Sequence, residues 1–493
     1  MTLKITCFLP SSPSAVLEHN IDELRKCEMT GEIFVVSGKG EHVQVPYGTG
    51  IADVLSFFAS ETVRLFADLS STPYLLVSLK AQPFRLSPSS LQRWVQVAED
   101  TGAGMVYADH YVVKNGITTA DPVIDHQQGS LRDDFNFGTL LLFRTSAFKE
   151  TVNRMIENYK YAGWYDLRLK LSQKHVICHL PEYIYSTAEA DLRGSSEKQF
   201  DYVNPRNREV QLEMEQACTE HLKDIDAWLK PVFRNVDLKS PLFRQEASVI
   251  IPVKNRVKTI EDAIQSVLMQ QCSFSFNVII VDNHSTDGTS GIITSWAGKD
   301  NRVIHLIPDR LDLGIGGCWN EALFYNDCGR FAIQLDSDDL YIDEHVLAKI
   351  VNEFYKQQCA MLVGSYKMVD FNLKDQPPGI IDHREWTPEN GRNNALRING
   401  LGAPRAFFTP VARSIQLPNV SYGEDYAIGL QISRHYQIGR IYEPLYLCRR
   451  WEDNSDASPD TMKLNAFNFY KDRLRTTEIL ARQQLVKEGQ NKL

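Results

Sequence analysis

The sequence predicts two α/β domains in tandem, and three observations lead to this fold class. The chain has 493 residues, more than one hydrophobic core usually organises. Short apolar segments alternate with segments of helical spacing, which is typical of a largely parallel sheet covered by helices. The order of these segments in residues 1–190 recurs in residues 246–455, so both regions are expected to share one fold.

Composition excludes two classes of function. Hydrophobic residues make up 43% of the chain and charged residues 23%, as in ordinary globular proteins. The formal net charge of −9 argues against nucleic-acid binding, which requires a basic surface. Neither a signal peptide nor an apolar run of membrane-spanning length is evident. We therefore expect a cytoplasmic protein, with peripheral contact at the inner face of the membrane as a variant of that location.

The nine cysteines are spread from Cys7 to Cys448 without a Cys-x-x-Cys pair. An odd number without such pairs favours free thiols in a reducing compartment. The same usage argues against a zinc site.

Each half begins with strand-like sequence. In the first half, the predicted strands are 4–10, 32–36, 74–79, 103–108, 137–143 and 176–180, and the predicted helices are 15–26, 89–99 and 165–171. In the second half, the predicted strands are 248–253, 277–281, 331–333 and 361–366, and the predicted helices are 260–268 and 346–354, with a further helix after the glycine-rich segment 313–317.

A connecting region, residues 191–245, is predicted to be a helical linker. Seven residues keep helical spacing: Val210, Met214, Cys218, His221, Leu222, Ile225 and Leu229. Asn204-Pro205 predicts the start of this helix and Pro231 its stop. A helix packed between two domains is favoured over a cofactor-binding or partner-binding helix.

Matching residues recur in the same order in both halves. The pairs are Pro10 with Pro252, Ser37 with Asp282, Ser78-Leu79-Lys80 with Asp336-Ser337-Asp338, Gly138 with Gly402, Tyr165-Asp166 with Glu424-Asp425, and Pro181 with Pro444. Their preserved order favours a duplication, with two unrelated α/β domains as the alternative. Because the first copy has Lys80 where the second has a carboxylate, only the second is expected to hold a divalent cation in this way.

The residues 336–339, Asp-Ser-Asp-Asp, form what we call the acidic turn, directly after the apolar run 331–333. Carboxylates at a strand end suit Mg²⁺ or Mn²⁺, which take oxygen ligands and bridge protein to phosphate. A cation held there stabilises the charge that grows on a departing diphosphate. The alternative is a solvated or helix-capping turn. A helix-loop-helix calcium site is disfavoured, because its twelve-residue ladder is absent.

Two upstream loops add to this interpretation. Asp282 stands at the end of a buried strand, where ligands bind in open α/β sheets. It is expected either to accept hydrogen bonds from a base or ribose or to cap the turn that follows. Gly314, Gly316 and Gly317 permit close backbone approach, although their spacing is not a dinucleotide fingerprint.

Four segments of the second half resemble glycosyltransferases of family 2. They are Ser-Val-Ile-Ile-Pro-Val-Lys-Asn-Arg (248–256), Ile-Ile-Val-Asp-Asn-His-Ser-Thr-Asp-Gly-Thr (279–289), Gln-Leu-Asp-Ser-Asp-Asp (334–339) and Gly-Glu-Asp-Tyr (423–426). The resemblance implies the GT-A fold, a Rossmann-like fold of nucleotide-diphospho-sugar transferases. With the duplication, two GT-A domains in tandem are expected: a degenerate copy at 1–190 and a catalytic domain at 246–455, followed by a helical tail at 456–493.

By this resemblance, the second domain binds a UDP- or GDP-linked sugar with Mn²⁺ or Mg²⁺ and inverts the anomeric carbon. The implied nucleotide-sugar contacts are Pro252, Val253, Asn255, Arg256, Asp282, Asp336 and Ser337. The implied metal ligands are Asp338 and Asp336. The acceptor is expected to be a glycan or a lipid-linked molecule.

The general base implied by the resemblance is Asp425, a carboxylate ionised at pH 7 that can take the proton of an acceptor hydroxyl. Glu424 would orient the site or the acceptor, and we favour Asp425 over Glu424 as the base. Both acids are also expected at a helix N-terminus because the helix macrodipole favours them there.

The sequence departs from the family pattern at two places. Trp319-Asn320 stands where many members carry Arg-Asn. Cys448-Arg449-Arg450-Trp451 places Trp where many carry a His that helps hold metal or phosphate. Arg449 or Arg450 is therefore a candidate for diphosphate contacts, with a structural ion pair as the alternative.

The first half resembles the same family more faintly, through 165–169 and 181–185. Scaffold, homodimer surface or acceptor-binding module are the roles we favour for it. Metal-independent transfer is the alternative, with Asp166, Asp133 or Asp134 as the acid. The tail from Thr461 is predicted to be a helix packed on the body, or an interfacial helix touching membrane-bound acceptors.

Three functions follow from these observations. The favoured one is a glycosyltransferase of bacterial polysaccharide or glycoconjugate synthesis. A catalytically silent pair of GT-A domains that binds a nucleotide-sugar or glycan is the second. A nucleotidyltransferase is the third, disfavoured because the first strand lacks the glycine- and lysine-rich loop of that chemistry.

Overall fold

The structure is a computed structural model that describes residues 4–188, 207–451, 454 and 460–489. The described chain divides into two compact units. The first contains residues 4–188, 207–228 and 460–479, and the second contains 229–451, 454 and 480–489. The domain limits predicted at 190/191 and 455/456, and the helix start predicted at Asn204-Pro205, lie outside the described residues.

The first unit contains nine strands. They are β1 (Ile5–Pro10), β2 (Thr30–Gly38), β3 (Gly50–Val54), β4 (Tyr74–Ser78), β5 (Phe84–Leu86), β6 (Met105–Lys114), β7 (Ile117–Asp121), β8 (Leu140–Arg144) and β9 (Ile177–Ala188). The helices are α1 (Ser14–Arg25), α2 (Ser60–Leu69), α3 (Ser90–Thr101), α4 (Thr145–Val152), α5 (Gly163–Ser172) and α6 (Arg208–Asp224).

The second unit repeats this set. Its strands are β10 (Ala247–Val253), β11 (Phe276–Asp282), β12 (Val303–Leu306), β13 (Phe331–Gln334), β14 (Leu340–Tyr341), β15 (Met361–Asp370), β16 (Asp375–Ile381), β17 (Arg405–Phe408) and β18 (Ile438–Arg450). Its helices are α7 (Ile260–Leu268), α8 (Thr289–Lys299), α9 (Ile315–Phe324), α10 (Val346–Gln357), α11 (Gly391–Asn394), α12 (Thr409–Ile415) and α13 (Glu424–His435). A long C-terminal helix, α14 (Thr461–Lys487), has residues 461–479 in the first unit and 480–487 in the second.

The two sheets have the same topology. The first has the order β3-β2-β1-β4-β8-β6-β9-β5, with β7 paired to β6, and the second has β12-β11-β10-β13-β17-β15-β18-β14, with β16 paired to β15. Each strand of the second sheet is therefore the ninth after its counterpart in the first. The predicted duplication is confirmed at the level of the fold, and both units are GT-A-like.

Both sheets are mixed rather than largely parallel. In the first, β1–β2, β2–β3, β1–β4 and β6–β9 are parallel, whereas β4–β8, β6–β8, β6–β7 and β5–β9 are antiparallel. The prediction of a largely parallel sheet was wrong for the half that contains β8. That strand follows Gly138, whose φ of 82° turns the chain before it runs back beside β4.

Strand alternation explains how the first sheet is covered on both faces. Ile5, Cys7 and Leu9 of β1 pack into one apolar cluster, and Phe8 between them packs into another. Successive side chains of a strand point to opposite faces, so two cores enclose the sheet. The near-continuous apolar runs of β1 and β10 are the sequence signal of such a doubly covered strand.

Strand pairing refines the correspondence between the copies. Cys7 lies opposite Leu76, and Val249 opposite Ile333. Because Pro10 and Pro252 are equivalent, Leu76 corresponds to Ile333, and Leu79 corresponds to Asp336. The counterpart of Asp336 is thus one residue further on than the predicted Ser78. The turn that contains Leu79, residues 79–83, is Leu-Lys-Ala-Gln-Pro and has no carboxylate, as the prediction for Lys80 requires.

The helices predicted for the linker and the tail are both present, at α6 and α14. The tail buries charge rather than an apolar stripe: Asp472, Arg475 and Arg482 are fully buried. Within the first unit, Asp472 pairs with Arg475 at 2.9 Å. In the part of the chain that the structure describes, none of the helices combines the length and apolarity that a bilayer crossing requires.

Candidate active site

A cavity of about 250 Å³ in the second unit opens at the ends of β10 and β13. Eight of the predicted site residues line it: Pro252, Arg256, Asp336, Ser337, Asp338, Glu424, Asp425 and Arg450. Ile315, Trp319, Gln334, Asp339, Arg405, Phe407, Leu417, Cys448 and Asn454 complete the wall. Val253, Asn255, Asp282 and Arg449, which the sequence also predicted, are outside this lining.

Asp336 begins the acidic turn and is held by side chains of β13 and β18. Its backbone N–H donates to the hydroxyl of Tyr446 in β18 at 2.9 Å. Both of its carboxylate oxygens accept hydrogen bonds from the side-chain amide of Gln334, at 3.0 and 2.9 Å. Burial, reinforced by the charge of Asp338, raises the pKa of Asp336 against the opposing influence of Arg405 and Gln334.

Asp338 is surrounded by N–H donors. Its Oδ2 accepts hydrogen bonds from Trp451 Nε1 at 3.2 Å and from Asn454 Nδ2 at 3.1 Å. Arg256 Nε lies 3.7 Å from the same oxygen. The tryptophan that replaces the family's histidine therefore directs a hydrogen-bond donor at a predicted metal ligand.

Asp339 closes the acidic turn from inside. It is 4% exposed and accepts the backbone N–H of Arg449 at 2.7 Å. Burial raises the pKa of Asp339 well above its usual range, and the neighbouring Asp338 and Asp336 add to the rise. Burial and the neighbouring charge of Asp338 thus disfavour the ionised forms of Asp336 and Asp339.

Glu424 and Asp425 start helix α13, after Gly423, whose φ of 80° suits glycine. Asp425 forms an ion pair with Arg405. Glu424 is 8% exposed, and its Oε2 has no hydrogen-bond partner among the described residues. Burial, followed by the charge of Asp425, raises the pKa of Glu424 to about 8.

Arg405 is the main site residue that sequence reasoning missed. It is the first residue of β17, and its backbone N–H donates to Gln334 Oε1 at 3.0 Å. Burial lowers the pKa of Arg405, but the charges of Asp425, Asp336 and Glu424 outweigh it and leave the pKa raised. No local pattern marks this arginine, because its partners come from β13 and α13.

The two candidate diphosphate arginines point to different surroundings. Arg449 is 2% exposed, pairs with Asp262 at 2.9 Å and lies over the ring of Phe371. Arg450 lines the cavity. The structural alternative therefore describes the side-chain contacts of Arg449, which also donates from Nε to the backbone carbonyl of Asp338. Arg450 is the candidate that lines the cavity.

The loops after β10 and β11 are joined to each other. Asn255 has a φ of 55° and accepts the backbone N–H of Thr286 at 2.8 Å, and its own N–H donates to Ser285 Oγ at 2.9 Å. Asp282 is fully buried and accepts hydrogen bonds from Ser285, Ser290 and His305. Burial raises the pKa of Asp282, but these hydrogen bonds outweigh it and lower the pKa. Asp282 therefore caps the turn that follows β11, which is one of the two roles expected for it.

Another loop of the same chain, residues 417–420, packs closely against the glycine-rich segment. A Cβ on Gly316 would lie 1.9 Å from the carbonyl oxygen of Pro418, and one on Gly317 would lie 2.3 Å from Asn419 Oδ1. Asn320 fixes the same loop, donating to the carbonyl of Leu417 at 2.8 Å and accepting its N–H at 3.0 Å. Loop 417–420, which leads to Glu424, therefore rests on the N-terminus of α9.

Trp319, on the buried side of that helix, lines the cavity and packs edge-on against Phe407, with ring centroids 5.6 Å apart. It supplies an apolar wall where many relatives carry arginine. Within the described residues, no group of three or more His, Cys, Asp or Glu side chains is arranged to hold a metal ion by itself.

Carboxylates and arginines gather in a cavity at the carboxyl ends of the parallel strands β10 and β13, where ligands bind in open α/β sheets. The model of the family described as "Glycosyl transferase family 2" matches residues 248–412. A Bacillus subtilis protein, named as teichuronic acid biosynthesis glycosyltransferase TuaG, is 30% identical over 187 residues, which are 38% of this chain and 71% of that protein. The chain belongs to glycosyltransferase family 2 and is a glycosyltransferase.

Two other matches are more limited, one in the length that it covers and the other in its structural similarity. A Rickettsia felis glycosyltransferase is 35% identical over 112 residues, which are 23% of this chain but only 18% of that protein. The crystal structure of S. aureus TarS 1-349 in complex with UDP-GlcNAc has 22% identity and a TM-score of 0.37, and the match covers 48% of this chain and 72% of that one.

Proposed function

We propose that this chain is an inverting, metal-dependent glycosyltransferase of bacterial polysaccharide synthesis. Its donor is a UDP- or GDP-linked sugar, and its acceptor is a hydroxyl of a glycan or lipid-linked molecule. The observation that carries the proposal is that the acidic turn and the Glu424-Asp425 pair line one cavity. The former suits a cation and diphosphate, and the latter suits proton transfer.

Mn²⁺ or Mg²⁺ fits the donor set around Asp336 and Asp338. The charge of Asp338 contributes to the raised pKa of both Asp336 and Asp339, and a divalent cation relieves this repulsion. These cations keep water and phosphate ligands and need only one or two protein carboxylates. When bound, such an ion neutralises the charge that develops on the leaving diphosphate.

The protein's own groups divide the remaining work. Asp425 takes the proton from the acceptor hydroxyl while the oxygen of that hydroxyl bonds to the anomeric carbon of the donor sugar. The bond to the diphosphate breaks on the opposite face, and its electron pair leaves with the phosphate. Arg405 orients Asp425 through their ion pair. Arg256 and Arg450 line the cavity and can donate hydrogen bonds to phosphate oxygens.

Glu424 complements Asp425. With a pKa of about 8, it holds a proton at neutral pH and can donate a hydrogen bond to a sugar or acceptor hydroxyl. Its Oε2 has no partner among the described residues, as expected for a group that is completed by substrate. The same raised pKa makes Glu424 the second candidate for the base.

The test is a panel of UDP- and GDP-sugars assayed for nucleoside diphosphate release, with Mn²⁺, with Mg²⁺ and with EDTA. We expect turnover with one donor class, its loss in EDTA, and a product of inverted anomeric configuration by NMR. Asp338→Asn should weaken metal-dependent nucleotide binding, whereas Asp375→Asn, a carboxylate on β16 that pairs with Lys367, should not.

Each alternative class gives a different result in this assay. A binding protein shows nucleotide-sugar affinity without turnover in any arm. A nucleotidyltransferase releases pyrophosphate instead of nucleoside diphosphate. The absence of both turnover and metal-dependent nucleotide binding would overturn the proposal.

A further inference from the structure

The first unit has a second cavity, of about 180 Å³, which we call the aromatic pocket. Its fourteen lining residues are Phe58, Leu79, Met105, Asp133, Phe135, Phe137, Leu141, Phe143, Tyr161, Trp164, Tyr165, Leu167, Arg168 and Met214. All but Asp133 and Arg168 are apolar or aromatic.

Strand register places this pocket where the second unit has its candidate active site. Leu76 lies opposite Leu142, and Ile333 opposite Ala406, so Leu141 corresponds to Arg405 and Phe143 to Phe407. Leu79 corresponds to Asp336 by the same register. The cavity has thus been kept, while its central carboxylate and its arginine have been replaced by leucines.

The two charged side chains do not make the pocket polar. The guanidinium of Arg168 is 7% exposed and lies over the rings of Tyr165, Phe137 and Phe135, at 4.7, 5.5 and 5.8 Å from their centroids. It also donates to the carbonyl of Arg132. Asp133 is already engaged in contacts with other groups. A sugar ring buried here would leave most of its hydroxyls without hydrogen-bond partners, which disfavours sugar binding.

The rim of the pocket exposes apolar surface. Phe58, which lines the pocket, is 49% exposed, and Leu55, three residues before it in the chain, is 73% exposed. Exposed apolar residues beside an apolar pocket mark a binding site more often than chance exposure.

We propose that the aromatic pocket binds the hydrocarbon chain of an amphiphile. The lining offers dispersion contacts and few hydrogen bonds, which suits an alkyl or isoprenoid chain. The rim would cover the part of the chain next to the polar head. This binding needs neither a nucleotide nor a metal, so it stands apart from the proposed transferase activity.

The probe is n-decyl-β-maltoside, used below its micelle concentration on the full-length chain, with maltose as the control for the head group. We expect saturable 1:1 binding of decyl maltoside by calorimetry and no binding of maltose at the same concentration. Trp164 lies in the wall of the pocket, so binding should also change tryptophan fluorescence. Trp164→Phe should remove most of that change while keeping the affinity within about twofold.

Two substitutions locate the site. Phe58→Ser at the rim should weaken decyl maltoside binding about tenfold, because a half-exposed aromatic ring supplies apolar contact area without being needed for folding. Tyr111→Ser is the matched control, since Tyr111 is 38% exposed and lies in β6 of the same unit against Tyr183, outside the pocket. Thermal unfolding of each variant checks that the fold is kept.

Three results would overturn the proposal. Equal binding of maltose would make the pocket a sugar site. Binding that Phe58→Ser leaves unchanged, with a fluorescence change that survives in Trp164→Phe, would place the chain elsewhere. No binding below the micelle concentration would mean that the pocket takes no hydrocarbon chain.

Discussion

The two units of this chain have one strand order and opposite chemistry at the same strand ends. In the second unit, Asp336 and Arg405 face a polar cavity. In the first unit, the register puts Leu79 and Leu141 at those positions, in an aromatic pocket. The backbone therefore specifies that a cavity exists, and a few strand-end side chains decide what it can bind.

The largest effect is expected from the candidate base. Asp425→Asn should lower turnover by about 10²–10⁴-fold, because the amide cannot accept the acceptor's proton, while nucleotide-sugar binding is retained. Asp343→Asn, which removes a carboxylate paired with Lys349 at 3.1 Å, is the control and should leave turnover unchanged.

The corresponding change in the first unit sharpens the comparison. Asp166 is 1% exposed and pairs with Lys170 at 2.9 Å. Asp166→Asn should leave turnover per folded molecule intact, with folding followed by circular dichroism. Loss of turnover in folded Asp166→Asn would assign catalysis to the first unit and contradict the division of roles.

A smaller loss of turnover is expected when Arg405 is replaced by leucine, the residue that the first unit has at the corresponding position, Leu141. Arg405→Leu removes the partner of Asp425 and should lower turnover about tenfold to a hundredfold. Arg405 lowers the pKa of Glu424, so the same variant should move the corresponding limb of the pH–rate profile to higher pH. Arg384→Leu, an exposed arginine paired with Asp382, should change neither quantity.

In both units, a glycine lies where another segment of the chain packs closely against the N-terminus of a helix. A Cβ at Gly316 would lie 1.9 Å from the Pro418 carbonyl, and one at Gly163 would lie 2.4 Å from the backbone nitrogen of Ser60. Gly316→Ala and Gly163→Ala should each lower the free energy of unfolding by about 1–3 kcal/mol. Gly298→Ala, in helix α8 with no atom within 4 Å of the new Cβ, should instead raise it by about 0.5–1 kcal/mol. Denaturant titration of the three variants measures this, and a destabilised Gly298→Ala would contradict the steric argument.

The last expected effect depends on pH. The pKa of Glu424 is raised to about 8 in the folded chain, against about 4.3 for a free glutamate, so the folded state binds more protons between these values. The free energy of unfolding then falls as pH rises through this window. Glu424→Gln, which does not ionise, should gain stability over the wild type from pH 5 to pH 8. A constant difference in melting temperature between the two proteins would show that Glu424 is ionised in the folded state.

The sequence predicted the parts of this molecule that are locally encoded. The continuous apolar runs of β10 and β11 predicted strands that the structure confirms at Ala247–Val253 and Phe276–Asp282. The acidic turn and Glu424-Asp425 were identified from motifs, and the structure places them on one cavity. Their roles as metal ligands and base stay predictions.

What the sequence did not predict depends on contacts between distant segments. Arg405 is visible as a site residue only once β17 is known to run antiparallel to β13. The contact of Trp451 with Asp338 joins residues 113 positions apart. The aromatic pocket was missed for the same reason: its residues are drawn from strands, helices and loops between Phe58 and Met214.

The shared register has a consequence for engineering. Because the strand ends coincide, Leu79→Asp and Leu141→Arg would introduce into the first cavity the counterparts of Asp336 and Arg405. The graft also requires a change of length: Leu76 and Leu86 are ten positions apart, whereas their counterparts Ile333 and Tyr341 are eight apart. Two residues would have to be deleted from the turn between β4 and β5 before a carboxylate there could occupy the place of Asp338. Loop length, together with side-chain identity, therefore distinguishes the aromatic pocket of the first unit from the candidate active site of the second.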